Sequence, residues 1–231
     1  MPQRYFLEKK TNSITGQDAH HIKTVMRMKN EDEIIVCYNQ SCFLASINVD
    51  QIDVQFSIIQ ELEKPQSFDV TIIQGLPKSP KHETITKYAT IFGASKIIFT
   101  PMQRSIAKLE NTDHKLTRLE TISKEAAELA HRFDIPKIEF MKSLDSIDLK
   151  PYDLVLLADE NNKTTSLKTA LPKGSLNQKI AVIIGPEGGI TEQERTTLLS
   201  KNVLSVSLGH NILPTEIACL YVLTFFSLEN A

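Results

Sequence analysis

Gly185-Pro186-Glu187-Gly188-Gly189 closes an apolar run, KIAVII, and opens onto the polar, helix-forming stretch TEQERTTLLS. A strand that ends in glycines and turns into a helix is the layout used to bind phosphate at a helix N-terminus. Here the spacing is neither GxGxxG nor a P-loop, because no Lys-Ser or Lys-Thr pair follows. Glu187 argues further against phosphate. Within about 4 Å of a phosphate oxygen near the surface it would repel by roughly 4 kcal/mol per charge pair at an effective dielectric of 20. The ligand chemistry that fits is an adenine or a polar small molecule without phosphate, met by backbone groups that Gly188 and Gly189 leave open to close approach. A tight strand-to-helix connection with no ligand fits the same residues. Thr191 and Glu194 have the spacing of a capping box on the helix that follows.

A second glycine turn, LGHNILPTEIACLYVL, carries Leu208, Gly209, the apolar pair Ile212-Leu213, and Thr215 as the expected N-cap of a closing helix. A third stretch, LLADE, ends a strand after Leu157. In an open parallel sheet, ligands bind beyond the carboxyl ends of the strands, so these three ends are expected to form one site. Glu216, next to Thr215, either complements the helix dipole or takes a polar role in a reaction. Arg104, at the end of KIIFTPMQRS, stands at another strand end. His20, His21, His131 and His210 have no neighbours that complete a metal set, and no CxxC or HExxH spacing occurs. Cys37, Cys42 and Cys219 are too few and scattered for a disulfide framework and are expected to act as small hydrophobes.

The elements that position these groups fall into two textures. Up to about residue 66 the segments are short and strand-like: RYFL, then EIIVCYN and SCFLASINV around a turn at Asn39-Gln40, then VQFSIIQEL. One helix interrupts them, in which Ile22, Val25 and Met26 recur at i, i+3 and i+4 and are expected to face a core. A small β-barrel is expected over residues 1–66, with EKPQS, Glu63 to Ser67, as the linker at its end. From residue 67 to 231 apolar strands alternate with amphipathic helices, which predicts an α/β domain with a parallel sheet covered on both faces. The 231 residues, 41% of them hydrophobic, suffice for both cores. No apolar run reaches the ~20 residues of a membrane span and the N-terminus lacks a signal-peptide pattern, so a cytoplasmic protein is expected.

A net charge of −2 disfavours a protein that coats nucleic acid, yet charge is unevenly spread. Residues 1–31 hold six Lys/Arg against three acids, and residues 78–108 hold six against Glu83 alone. Either two solvated faces or one polyanion footprint follows from such a pattern.

IGPEGG, followed about twenty residues later by LG-x-x-IL-x-TE-x-A and a closing apolar helix, resembles the knotted SPOUT methyltransferases. The chain is similar to the RsmE family, which methylates N3 of a uridine in small-subunit ribosomal RNA; RYFL, HHIKTVMRM, PMQRS and KEAAELAHR follow that family's order. The resemblance implies a PUA-like RNA-binding barrel, a second domain with a deep trefoil knot, a homodimer, and S-adenosylmethionine as cofactor. It further implies cofactor contacts from Leu157, Gly185, Glu187, Gly188, Gly189, Leu208, Gly209, Ile212, Leu213 and Thr215. Arg104 and Glu216 are the expected catalytic groups, and Arg4, His21, Arg27, Lys78, Lys81 and Arg104 the expected RNA contacts; no DNA, membrane or metal partner is implied. Asn211 and Pro214 stand where the family usually has arginines, so an RNA-binding relative with weakened catalysis is the alternative.

Overall fold

The computed structural model describes residues 2–171 and 178–229, which divide into two units. One contains the chain up to Pro65 together with Ala127–Asp134; the other contains Gln66–Ala126 and the chain from Ile135 onward.

The first unit is built on a five-stranded sheet, order β1-β3-β4-β5-β2, from β1 (Gln3–Phe6), β2 (Ser13–Ile14), β3 (Glu33–Tyr38), β4 (Ser41–Asn48) and β5 (Val54–Leu62). Asn39 and Gln40 both take positive φ, 50° and 63°, the geometry of a two-residue hairpin turn between β3 and β4. That turn sets Cys37 directly opposite Cys42. The two are joined by a disulfide, which corrects the expectation that they are merely small hydrophobes. Cys219 does behave as one: it is free and buried, and burial pushes its thiol up to about 12.

The expected helix is also corrected. α1 (Gly16–His20) runs into a π-helical turn, His21–Val25, in which Met26 N donates to His21 O, five residues back. The wider turn changes the period, so Ile22 is buried while Val25 and Met26 are 60% and 45% exposed.

The second unit holds a six-stranded sheet, order β11-β9-β10-β6-β7-β8: β6 (Asp69–Gly75), β7 (Lys96–Thr100), β8 (Lys137–Phe140), β9 (Leu154–Ala158), β10 (Lys179–Ile184) and β11 (Leu204–Val206). Every pairing is parallel. Successive residues of one strand supply two cores: Ile180, Val182 and Ile184 face one, Ala181 and Ile183 the other. The first is completed by α2 (Lys81–Ile91), α3 (Thr112–Leu129) and α6 (Thr215–Glu229), the second by α5 (Glu192–Ser200). The short α4 (Leu167–Ala170) carries the Ser166 capping box. Among the described residues no helix is long and apolar enough to cross a membrane.

Candidate functional site

Because all strands of this sheet run parallel, their carboxyl ends lie along one edge, and there the backbone leaves the cover of the helices. The ends of β9 and β10 and the loop after β11 enclose a cavity of about 380 Å³. Gly185, Glu187, Gly189, Leu208, Gly209, Ile212, Leu213 and Thr215 all line it, as does Lys81 of α2.

Three of the sequence expectations are redirected. Leu157 is fully buried in the core on the α5 face, so β9 reaches the cavity instead through Ala158, Asp159 and Glu160. Gly188 faces Arg104: a Cβ there would lie 2.8 Å from Arg104 Cβ. Thr215 is not an N-cap but the first residue of α6, after Pro214. Its buried hydroxyl is used twice, accepting from Gln74 Nε2 at 2.7 Å and donating to Gly185 O at 2.6 Å. Gln74, fully buried at the end of β6, thereby ties three chain segments together.

The glycine turn needs its glycines for different reasons. Gly189 takes φ +72°, and a Cβ there would meet Glu160 Oε1 at 2.8 Å. Gly75, at the end of β6, is required by close approach: a Cβ would sit 2.5 Å from both Cδ and N of Pro186. Downstream, Thr191 and Glu194 form the expected capping box on α5. The Glu194 carboxylate also accepts from Gln103 N at 2.7 Å, and Thr191 Oγ1 donates to Gln103 Oε1 at 2.9 Å. These bonds anchor the loop that carries Arg104, whose exposed guanidinium donates to Gly188 O at 3.1 Å.

Charge in the cavity is arranged in two clusters. Asp159 is bound by Arg195 through Nε at 2.7 Å and Nη2 at 3.0 Å, and accepts from Ser205 Oγ and Asn161 N. Burial pushes the Asp159 carboxyl up, but the Arg195 hydrogen bonds and their companions outweigh it and hold it below the usual range. The second cluster centres on Lys81, whose Nζ is 2.9 Å from Glu216 Oε2 and 3.6 Å from Glu187 Oε1. Glu187 Oε1 also accepts from Lys78 N at 3.0 Å. The carboxylate in the glycine turn is therefore directed at the chain following β6. Hydrogen bonding to Glu216 raises the Lys81 pKa, and Lys81 in turn overcomes burial to hold Glu216 below the usual carboxylate range.

Of the remaining expected RNA contacts, Arg27 and Lys78 are exposed. His21 is half-buried with Nδ1 3.0 Å from Tyr5 Oη. Arg4 is corrected: only 4% exposed, it lies 5.0 Å from the centre of the Phe133 ring and donates to the carbonyls of His131 and Arg132. A guanidinium spent on carbonyls just past the end of α3 has no surface left for phosphate. Sequence reasoning passed over Gln74, Asp159, Glu160 and Arg195. The available signal was polarity at strand ends: Gln74 closes the apolar DVTIIQ, and Asp159-Glu160 close LVLLA.

A parallel α/β sheet with a ligand-sized cavity at its carboxyl edge, in a chain that also holds a small five-stranded sheet unit, matches the domain models of RNA methyltransferases. The family model described as an RNA methyltransferase domain matches residues 63–227, and the RNA methyltransferase PUA domain matches residues 14–57. The ribosomal RNA small subunit methyltransferase E of Bacillus subtilis is 33% identical, over 99% of this chain and 97% of its own length. The protein of the same name from Rickettsia conorii is 31% identical, over 87% of this chain and 83% of its own. In fold, the chain is similar to the crystal structure of a ribosomal RNA small subunit methyltransferase E from Neisseria gonorrhoeae bound to S-adenosyl methionine, with a TM-score of 0.82, 20% identity, and 99% and 98% of the two chains covered. The chain belongs to the ribosomal RNA small subunit methyltransferase E family.

Proposed function

We propose that the protein transfers a methyl group from S-adenosylmethionine to N3 of a uridine in small-subunit ribosomal RNA. The observation that carries this reading is the cavity itself. Its wall combines apolar Leu208, Ile212 and Leu213 with the carboxylates of Glu160 and Glu187, and among the described residues its two lysines are already engaged, Lys81 by Glu216 and Lys163 by the Glu160 carbonyl. A ligand with a cationic sulfur, an amino group and an adenine suits such a wall, whereas a triphosphate does not. Gly185, Glu187, Gly189, Leu208, Gly209, Ile212 and Leu213 would hold the cofactor, with Thr215 and Gln74 fixing the strand ends. When bound, the cofactor supplies an electrophilic methyl group; the chain's own task is alignment of N3 with it.

Arg104 is assigned to the RNA phosphate or the uracil carbonyls, and Glu216 to a polar role. Residues 1–66 form the PUA-like barrel and residues 67–231 the knotted SPOUT domain, with Arg27, Lys78, Lys81 and His21 toward RNA. Ile217, Tyr221 and Leu228 are 42%, 48% and 70% exposed at a spacing of 4 and 7 residues on α6, an apolar stripe that supports a homodimer; a ribosomal RNA substrate suits the cytoplasm. Asn211 and Pro214 favour the second reading, a relative that binds RNA and cofactor but turns over weakly. Both readings meet one experiment: small subunits from a strain lacking the protein are incubated with it and S-adenosylmethionine, then digested and analysed by mass spectrometry. 3-Methyluridine at one site supports the first reading; cofactor and RNA binding without product supports the second.

A further inference from the structure

Lys81 is the first residue of α2 and, among the described residues, one of two lysines that line the cavity. The other, Lys163, donates its ammonium to Glu160 O at 2.8 Å. The cavity's Asp159 is taken up by Arg195, and Glu160 lies against Gly189. Lys81 has capacity to spare. An ammonium carries three N–H donors. One goes to Glu216 Oε2 at 2.9 Å, while Glu187 Oε1 at 3.6 Å attracts the charge without a good hydrogen bond. With 32% of the side chain exposed, a donor remains open to the cavity.

We infer that Lys81 is a catalytic residue: its open N–H donates to a carbonyl oxygen of the target uracil and stabilises the negative charge that appears there when N3 loses its proton. This rests on the reaction proposed above. The chemistry requires such a group, because N3 of neutral uracil holds a proton where the new bond must form. That proton passes to a water-derived base, and the resulting charge spreads onto the two carbonyl oxygens. The N3 electron pair then forms the N–C bond to the methyl group, while the C–S bond breaks with its pair retained on sulfur, turning the sulfonium into a neutral thioether. Lys81 keeps its proton throughout. A fixed cation where charge develops typically contributes 10²- to 10³-fold.

The two carboxylates have a matching task. Glu216 holds the ammonium by a hydrogen bond and Glu187 attracts it at 3.6 Å, and Glu216, held ionised by Lys81, is a weak proton acceptor. Glu216 is thereby a positioning residue for Lys81. Arg104 is held on the glycine turn by one bond to Gly188 O and is exposed, so its remaining donors suit the RNA backbone while Lys81 meets the uracil from the cavity.

The test uses Lys81→Met, Lys81→Gln and Lys81→Arg, each checked by thermal melting so that one misfolded variant does not decide the matter. Single-turnover methylation of small subunits from a strain lacking the protein is followed between about pH 6 and 9. S-Adenosylmethionine affinity is measured in parallel by calorimetry. The Met and Gln variants should be slowed by about 100-fold near neutral pH. Their rates should keep rising with pH where the wild type levels off, moving the acid limb up by about one unit or more, with cofactor affinity within about threefold of wild type. Lys81→Arg should return the limb toward its wild-type position. An unmoved limb in folded Met and Gln variants overturns the inference, as does a cofactor affinity that falls as far as the rate. Absence of any methylation by the wild type would instead overturn the reaction on which it rests.

Discussion

At the scale of single residues, the site depends on side chains whose partners are far away in sequence. Thr215 and Gln74 are 141 positions apart, and Thr215 and Gly185 are 30 apart, so the sequence shows a plausible helix cap but not the two bonds the hydroxyl makes. Thr215→Val keeps the shape and removes both. Gln74 Nε2 keeps only its long bonds to Gly75 O at 3.2 Å and Gly185 O at 3.3 Å, so unfolding should cost about 1–3 kcal/mol less. Urea titration reads this as a lower midpoint at unchanged slope; an unchanged midpoint would show that the network adds nothing. Asp159 gives a second prediction. Its folded pKa is depressed, so its contribution to stability is present above the unfolded value of about 3.9 and is lost as pH falls through the folded value. Wild-type stability should therefore drop on acidification below about pH 4, and Asp159→Asn should be less stable at neutral pH with a shallower acid decline. Parallel declines in the two proteins would mean that other carboxylates govern acid unfolding.

At the scale of elements, much was legible because local chemistry and tertiary context agree. The Asn39-Gln40 turn, the apolar strands β6 and β10, and the Thr191-Glu194 box all formed as their residues direct. β8 is not legible as an apolar strand because half of KIEF is charged: Lys137 and Glu139 ion-pair with each other, and Glu139 with Lys96 of β7. Such charge protects a strand that pairs on one side only, and it hides the apolar pattern. The π-helical turn was missed because one inserted residue is invisible to a 3.6-residue period. The glycine turn is the element whose failure should be most specific. Gly189→Ala must strain a residue at φ +72° and push Glu160 from its place against the turn. About 1–2 kcal/mol of backbone strain would act where the cavity wall forms, so cofactor affinity in calorimetry should fall by at least about tenfold while far-ultraviolet circular dichroism stays native. Wild-type affinity in that variant would make the turn a connection and nothing more.

At the scale of the whole molecule, a net charge of −2 conceals basic groups with opposite fates. Counting lysines and arginines treats Arg4 and Arg27 alike, yet Arg4 is buried on the carbonyls of His131 and Arg132 while Arg27 is exposed at φ 53°. Sequence spacing does not reveal this, since the carbonyls that Arg4 meets lie more than 120 positions away. The exposed set, Arg27, Lys78 and Arg104, is therefore the one to neutralise. Each contact with a phosphate releases condensed counterions, and for single-stranded RNA each contributes about 0.7 to the slope of log affinity against log salt. Replacing all three by Gln should flatten that slope by about two units, and each single replacement by about 0.7. The effect is a sum over contacts, so it requires no particular arrangement of the two units. Arg4→Met supplies the contrast: it leaves buried carbonyls without a donor, so it should lower the melting temperature while the folded fraction keeps the wild-type slope. The measurement is RNA affinity across a salt series for wild type, the single variants, the triple variant and Arg4→Met. Equal slopes in wild type and triple variant would place the RNA surface elsewhere, and a flattened slope in Arg4→Met would mean that its guanidinium leaves the carbonyls to meet phosphate.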